Sequence, residues 1–253
     1  MCVLPVNLAS KLLGTGEEYQ MLGTVTHGNL YMLSTDAQTQ YTTETLSALV
    51  GKTVGVVQLA NVPGLTFKVI LNANEIAWQE LTNDSSPAAD KVNLRAITPD
   101  QASPAGGMDC YVVPEPAASV KADKTSLEFV GDLQALCGGE AGYPQAVIVA
   151  KNTLIESDGD WLSDFLAELP AAAEWLTETE PATIVNAVSA HLTPGMAPSL
   201  NVENLSLTAI QHSGVRFESA ASCKAEVNAF LEKLIAVNAS AASAVSDAFY
   251  YQP

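Results

Sequence analysis

The apolar positions of this chain fall in short continuous blocks more than in strict alternation, and two of those blocks share one local design. Met1–Ser10 reads MCVLPVNLAS and Asp109–Ser119 reads DCYVVPEPAAS. Aligned on Pro5 and Pro114, each is an apolar strand, a proline, then small residues that open a helix. A continuous apolar run of strand length suits a strand covered on both faces, as in a parallel sheet flanked by helices. Proline ends the ladder because it lacks a donor, and its fixed φ presets a helix start. Ligands in such sheets bind beyond the carboxyl ends of the strands, where the following helices present free N–H groups. Two copies of the design predict two lobes forming a clamp.

Elsewhere strand and helix patterns alternate. Leu8–Leu13 predicts a short helix, Met21–Val25 and Leu30–Ser34 two strands joined by the turn THGN, and Gly51–Gln58 another strand. Pro63 opens a helix through Glu75, and Val92–Ile97, Leu127–Leu133 and Gln145–Lys151 read as further strands. The chain then becomes helical. A helix capped at Ser157 or Asp158 carries Trp161, Leu162, Phe165 and Leu166; Pro170 starts or kinks the next; another follows Pro181; a long one spans Ala221–Val237.

Composition narrows the classes. Of 253 residues 48% are hydrophobic and only 15% charged, enough apolar surface for a real core. The net charge of −17 repels a phosphate backbone and argues against nucleic acid as a partner. No apolar run approaches the roughly 18 residues of a membrane span, and no basic leader precedes the first strand. Cys2, Cys110, Cys137 and Cys223 show no metal-binding spacing, and Cys2 and Cys110 are expected in the core. There is no nucleophile elbow, zinc-protease motif or P-loop, and Asp158-Gly159-Asp160 lacks the oxygen ligands of a calcium loop. Neither catalysis nor a cofactor is expected.

The ordered set LPVNLAS, LGTVTHGNLYMLS, LVGKTVGVVQ, DCYVVPEPAAS and YPQAVIVAKNTL, with GVRFESA, KAEVNAFLEKL and DAFYYQP at the end, resembles solute-binding proteins of ABC importers. The resemblance is to the nitrate, sulfonate and thiamine-precursor group. It implies an α/β, two-lobed type II periplasmic-binding-protein fold: residues 1–33 begin lobe one, 34–146 form lobe two, and 147–253 complete lobe one. Crossovers are expected near residues 33–46 and 138–148. Members begin with further strands and helices ahead of MCVLP, so lobe one is expected to be N-terminally truncated. An exposed sheet edge would then favour a homodimer. The implied role is capture of a small-molecule solute outside the cytoplasm, on a lipid anchor whose leader lies outside this sequence, for delivery to a membrane permease. A pyrimidine-synthesising enzyme and a sensory ligand-binding domain are the alternatives.

The resemblance also proposes the ligand contacts. Pro5, Val6 and Asn7 match the helix start of lobe one, and Thr26, His27, Gly28 and Asn29 form the turn expected to face the cleft. Gln58, Leu59, Ala60 and Asn61 occupy the strand-to-helix turn of lobe two, where relatives use a Gly/Ser-rich turn. Glu115 supplies a carboxylate, and Tyr143, with Gln145 beside it, borders the return crossover. No lysine or arginine lies in these segments, so Glu115, His27 and Tyr143 tilt the expected solute towards a neutral or cationic, heteroaromatic compound.

Overall fold

A computed structural model of the chain describes residues 1–252 other than 194 and 199. The elements in order are β1 (Cys2–Pro5), α1 (Val6–Leu13), β2 (Tyr19–Thr26), β3 (Leu30–Ser34), β4 (Thr53–Val57), α2 (Val62–Ala73), β5 (Trp78–Leu81) and β6 (Val92–Ile97). They continue with β7 (Cys110–Pro114), α3 (Ala117–Lys124), β8 (Glu128–Asp132), α4 (Leu133–Gly138), β9 (Ala146–Lys151), α5 (Asn152–Ser157) and α6 (Gly159–Glu178). The last are α7 (Pro181–Ala190), α8 (Leu207–Gln211), β10 (Val215–Ser219) and α9 (Ala220–Val237).

The strands form two sheets, one per lobe. The first has the order β1-β9-β2-β10 and the second β5-β6-β4-β7-β3-β8. In the second sheet β5, β6, β4 and β7 run parallel, and β3 runs against them, pairing antiparallel with β7 on one side and β8 on the other. The strand-proline element around Pro114 behaves as its pattern predicts, with Cys110–Val113 buried between parallel β4 and antiparallel β3. Its counterpart does not. β1 is an antiparallel edge strand bound only to β9 among the described residues, so Cys2 and Val3 are exposed where a covered strand was expected. The same run of apolar residues serves both settings because the neighbours decide burial, not the strand itself.

The first crossover also differs from expectation, while the return falls within the expected residues 138–148. β3 pairs in the six-stranded sheet, so the chain passes between lobes at residues 27–29, not near 33–46, and Leu30–Ser34 belongs with lobe two. Residues 35–52 connect β3 to β4 within that lobe. The return passage runs from α4 to β9, between residues 139 and 145. β5 and β10 escaped the pattern analysis; WQEL and VRFES are short and lack a continuous apolar run.

A continuous apolar cluster joins the lobes beneath the crossovers. It runs from Val6 and Val149 in the first lobe, through Phe230 of α9, to Phe67 of α2 and Val112 of the second sheet. Tyr143 stacks on Phe230 with ring centroids 5.2 Å apart. Phe67 is fully buried in this cluster. Phe67→Ala is expected to cost about 3–5 kcal/mol, the range for removing a core aromatic ring, measured as a lowered free energy of unfolding in urea.

Candidate functional site

A cleft of about 810 Å³ lies between the lobes. It is a pre-formed space within the range of small-molecule sites. The walls are built by the strand-to-helix turns that the sequence pattern singled out. Pro5 ends β1 and stands at the start of α1 with φ −55°, and the Val6 N–H donates to the Gln145 carbonyl at 2.9 Å. Across the cleft, β4 ends in a tight turn in which Gln58 takes a positive φ of 55°. That left-handed conformation is unusual for a residue with a side chain, and such positions concentrate at functional sites. The Asn61 N–H then donates to the Gln58 carbonyl at 2.9 Å and α2 begins. Gly64 lets the turn fold onto the helix, because a Cβ there would meet the Leu59 carbonyl oxygen at 2.0 Å. Neither α1 nor α2 carries a side-chain cap; in α1 the first amide is taken by Gln145, and in α2 Pro63 has no N–H to offer while Leu65 N–H donates to the Asn61 carbonyl at 2.9 Å.

Pro5, Asn7, Asn29, Gln58, Ala60, Asn61 and Glu115 line this cleft. The other proposed contacts lie elsewhere. Val6 and Leu59 are core residues, and Tyr143 is buried against Phe230, where desolvation pushes its hydroxyl pKa well above the usual value. Thr26 and Gly28 do not line the cleft; Gly28 sits at φ 92° in a turn where a Cβ would collide with Gln134 and Tyr143. His27 is buried on the far side of the crossover, beside a separate small cavity it shares with Arg216. Its Nε2 lies 3.0 Å from Thr24 Oγ1 and 3.6 Å from Glu218 Oε1. Burial, then the Arg216 charge, lower its pKa to about 4 against the opposing pull of Glu218.

Glu115 lines the cleft, but its carboxylate does not serve it. That group is fully buried, accepting from Ser119 N–H at 3.0 Å and Ser119 Oγ at 2.8 Å, and lies 3.2 Å from His212 Nδ1. A free helix end and a nearby imidazole claim the charge. Asn7 likewise does not cap its helix; its side-chain amide donates to the Ala241 carbonyl at 3.1 Å. Asn29 is the junction of the floor, donating from Nδ2 to the Glu115 carbonyl at 3.3 Å and accepting from Gln145 Nε2 at 2.8 Å.

Other cleft residues escaped the sequence reading. Lys11 lines the cleft and donates from Nζ to the Ser240 carbonyl at 2.8 Å. It stands four residues after Asn7, one turn along the same helix face, and that spacing was a usable signal. Asn238, Ser240 and Ala241 come from the far end of the chain and carried no local one. Lys11 thus brings a cation to the cleft, while the Glu115 carboxylate is engaged inside the protein.

No family model and no curated protein matches the chain. Solved structures do match. An ABC transporter structure from Parabacteroides distasonis superposes with a TM-score of 0.71 at 16% identity, covering 99% of this chain and 80% of that one. The periplasmic aliphatic sulphonate binding protein SsuA of Escherichia coli gives 0.52 at 14%, covering 98% and 72%. A desulfurization enzyme, DSZB, gives 0.53 at 13%, covering 93% and 78%. The chain therefore has the two-lobed periplasmic-binding-protein fold, the class of architecture used by importer binding proteins. Similarity at this level establishes the fold and leaves the role to the site.

The buried imidazole generates a pH prediction. Between about pH 6.5 and about pH 4 the unfolded chain takes up a proton at His27 that the folded protein refuses, so stability is lost as pH falls through that window and levels off below it. The loss is expected to approach about 3 kcal/mol. Urea unfolding at pH 7 and pH 4 checks it: His27→Asn should show a smaller loss than the unsubstituted protein.

Proposed function

We propose that the protein is the solute-binding component of an ABC importer and holds a small polar organic solute in the cleft between its lobes without converting it. The cleft itself carries this reading: each lobe supplies a strand-to-helix turn, and the two uncapped helix starts and Lys11 form one space between the crossovers. Donors dominate it. Helix starts favour negative charge, Lys11 adds a cation, and side-chain amides of Asn61 and Gln58 offer orientation. The fitting solute is therefore neutral or anionic, and organic in size. The same reading places the protein outside the cytoplasm, anchored by lipid and delivering to a membrane permease. Among the described residues no helix is long and apolar enough to cross a membrane.

A thermal-shift screen of sulfonates, amino-pyrimidines, thiamine-like compounds and small carboxylates tests it. Lys11→Met is expected to weaken an anionic solute by about 1–3 kcal/mol, the range for a lost charge-assisted hydrogen bond, and to leave a neutral one nearly unchanged. Binding restricted to cations would overturn the solute class, and turnover of the bound compound would overturn the carrier role.

We also infer that the protein pairs through the β1 edge with a second copy. Val3 on that strand is 56% exposed, and Leu12 on the adjoining helix 66%. An open apolar edge is a template for another strand. Light scattering should show a dimer that Val3→Lys converts to monomer; a monomeric parent protein would sink the idea.

A further inference from the structure

The side chain of His212 joins the lobes on the side of the crossover opposite the cleft. It follows α8, in the segment between α7 and β10 that belongs to the four-stranded lobe. Its ring, however, lies in a slot of the six-stranded lobe. It stacks on Tyr31 of β3, centroids 4.5 Å apart and planes at 27°, and meets Phe129 of β8 edge-on at 5.3 Å. Tyr31 and Phe129 are themselves edge-to-face at 5.3 Å, so the slot is a built one. The cavities that His212 borders share no lining residue with the cleft.

Through Glu115 this contact reaches the cleft. The Glu115 backbone faces the solute space and is tied to the crossover in both directions, its N–H donating to the Asn29 carbonyl at 2.8 Å and its carbonyl accepting from Asn29 Nδ2. The carboxylate points the other way, to Ser119 and to His212 Nδ1 at 3.2 Å. One residue thus forms cleft wall on one side and inter-lobe contact on the other. A buried carboxylate holds its donors strongly, because an unsatisfied charge away from water is costly. The segment carrying His212 is in turn bound to the crossover, with the His27 N–H donating to the Gly214 carbonyl at 2.8 Å.

We propose that His212 is a positioning residue for the cleft: a pin from one lobe, seated between Tyr31 and Phe129 of the other, that holds Glu115 from behind and restricts the angle between the lobes. The pin acts on whatever solute the cleft takes, and to that extent the proposal rests on the cleft being the binding site. Its decisive group is the Nδ1 donor; the ring stack guides it into place.

The test compares two replacements. His212→Phe keeps a ring in the slot and removes the donor. His212→Asn sacrifices the ring but retains an amide donor close to the position of Nδ1. Nitroxide labels at Ala171→Cys and Ala73→Cys, exposed positions on α6 and α2 in opposite lobes, report the inter-lobe distance by pulsed electron resonance in a Cys2→Ser, Cys137→Ser background, with the labelled protein diluted in unlabelled protein so that only distances within one copy are read. His212→Phe is expected to broaden the distance distribution about two-fold, as a restricted angle relaxes into an ensemble, at an unfolding temperature close to that of the parent. His212→Asn should remain near the parent width. A His212→Phe distribution as narrow as the parent's overturns the proposal, and so does a His212→Asn distribution as broad as that of His212→Phe. The distance readout needs no solute, so failure of the ligand screen and failure of the pin are separate outcomes.

Discussion

The passage from Thr26, the end of β2 in one sheet, to Leu30, the start of β3 in the other, takes three residues, and the rest of the molecule is arranged around that constraint. Backbone groups in so short a crossover have to be satisfied by whatever lies beside them. The His27 N–H finds the Gly214 carbonyl, the His27 carbonyl accepts from Tyr143 N–H at 3.4 Å, and the Asn29 carbonyl accepts from Glu115 N–H. Each partner comes from a different part of the chain. The return crossover is thereby laid against the first, and the two strand-to-helix turns of the opposing lobes come to face one another. The cleft is a consequence of that junction.

Packing and electrostatics then divide the work. The apolar cluster that continues from α9 to α2 under the crossovers ties the lobes together and keeps the cleft open as a defined space. Of the 28 acidic residues behind the net charge of −17, Glu115 is the one lining the cleft among the described residues. Among the described residues the charged ones lining the cleft are Lys11 and Glu115, and the Glu115 carboxylate is turned away into the protein. In a strongly acidic protein, the cleft is lined among the described residues by one lysine and by no carboxylate that faces it. Bulk charge and local charge thus differ: net charge governs long-range repulsion of polyanions, while helix ends and single side chains set the field within a cleft.

The sequence by itself determined the two-lobed α/β class, most strands, the principal helices, and the turns after β1 and β4 as cleft walls. These features depend on local pattern: apolar runs of strand length, prolines that end a ladder and open a helix, and periodic apolar positions as in α9. Tertiary structure decided the rest. The two similar apolar strands differ in exposure because one is an edge and the other lies between neighbours, which no property of five residues can encode. Leu30–Ser34 joined the second sheet because its hydrogen-bond partners are β7 and β8, far along the chain. His27 became a buried neutral imidazole, and Glu115 surrendered its carboxylate to Ser119 and His212, since a titratable group's role follows from which donors and charges surround it. Lys11 had a local signal, its one-turn spacing from Asn7. Asn238, Ser240 and Ala241 reach the cleft only because the end of the chain packs against its beginning, a long-range contact that hydrophobic burial selects and that local periodicity leaves unspecified.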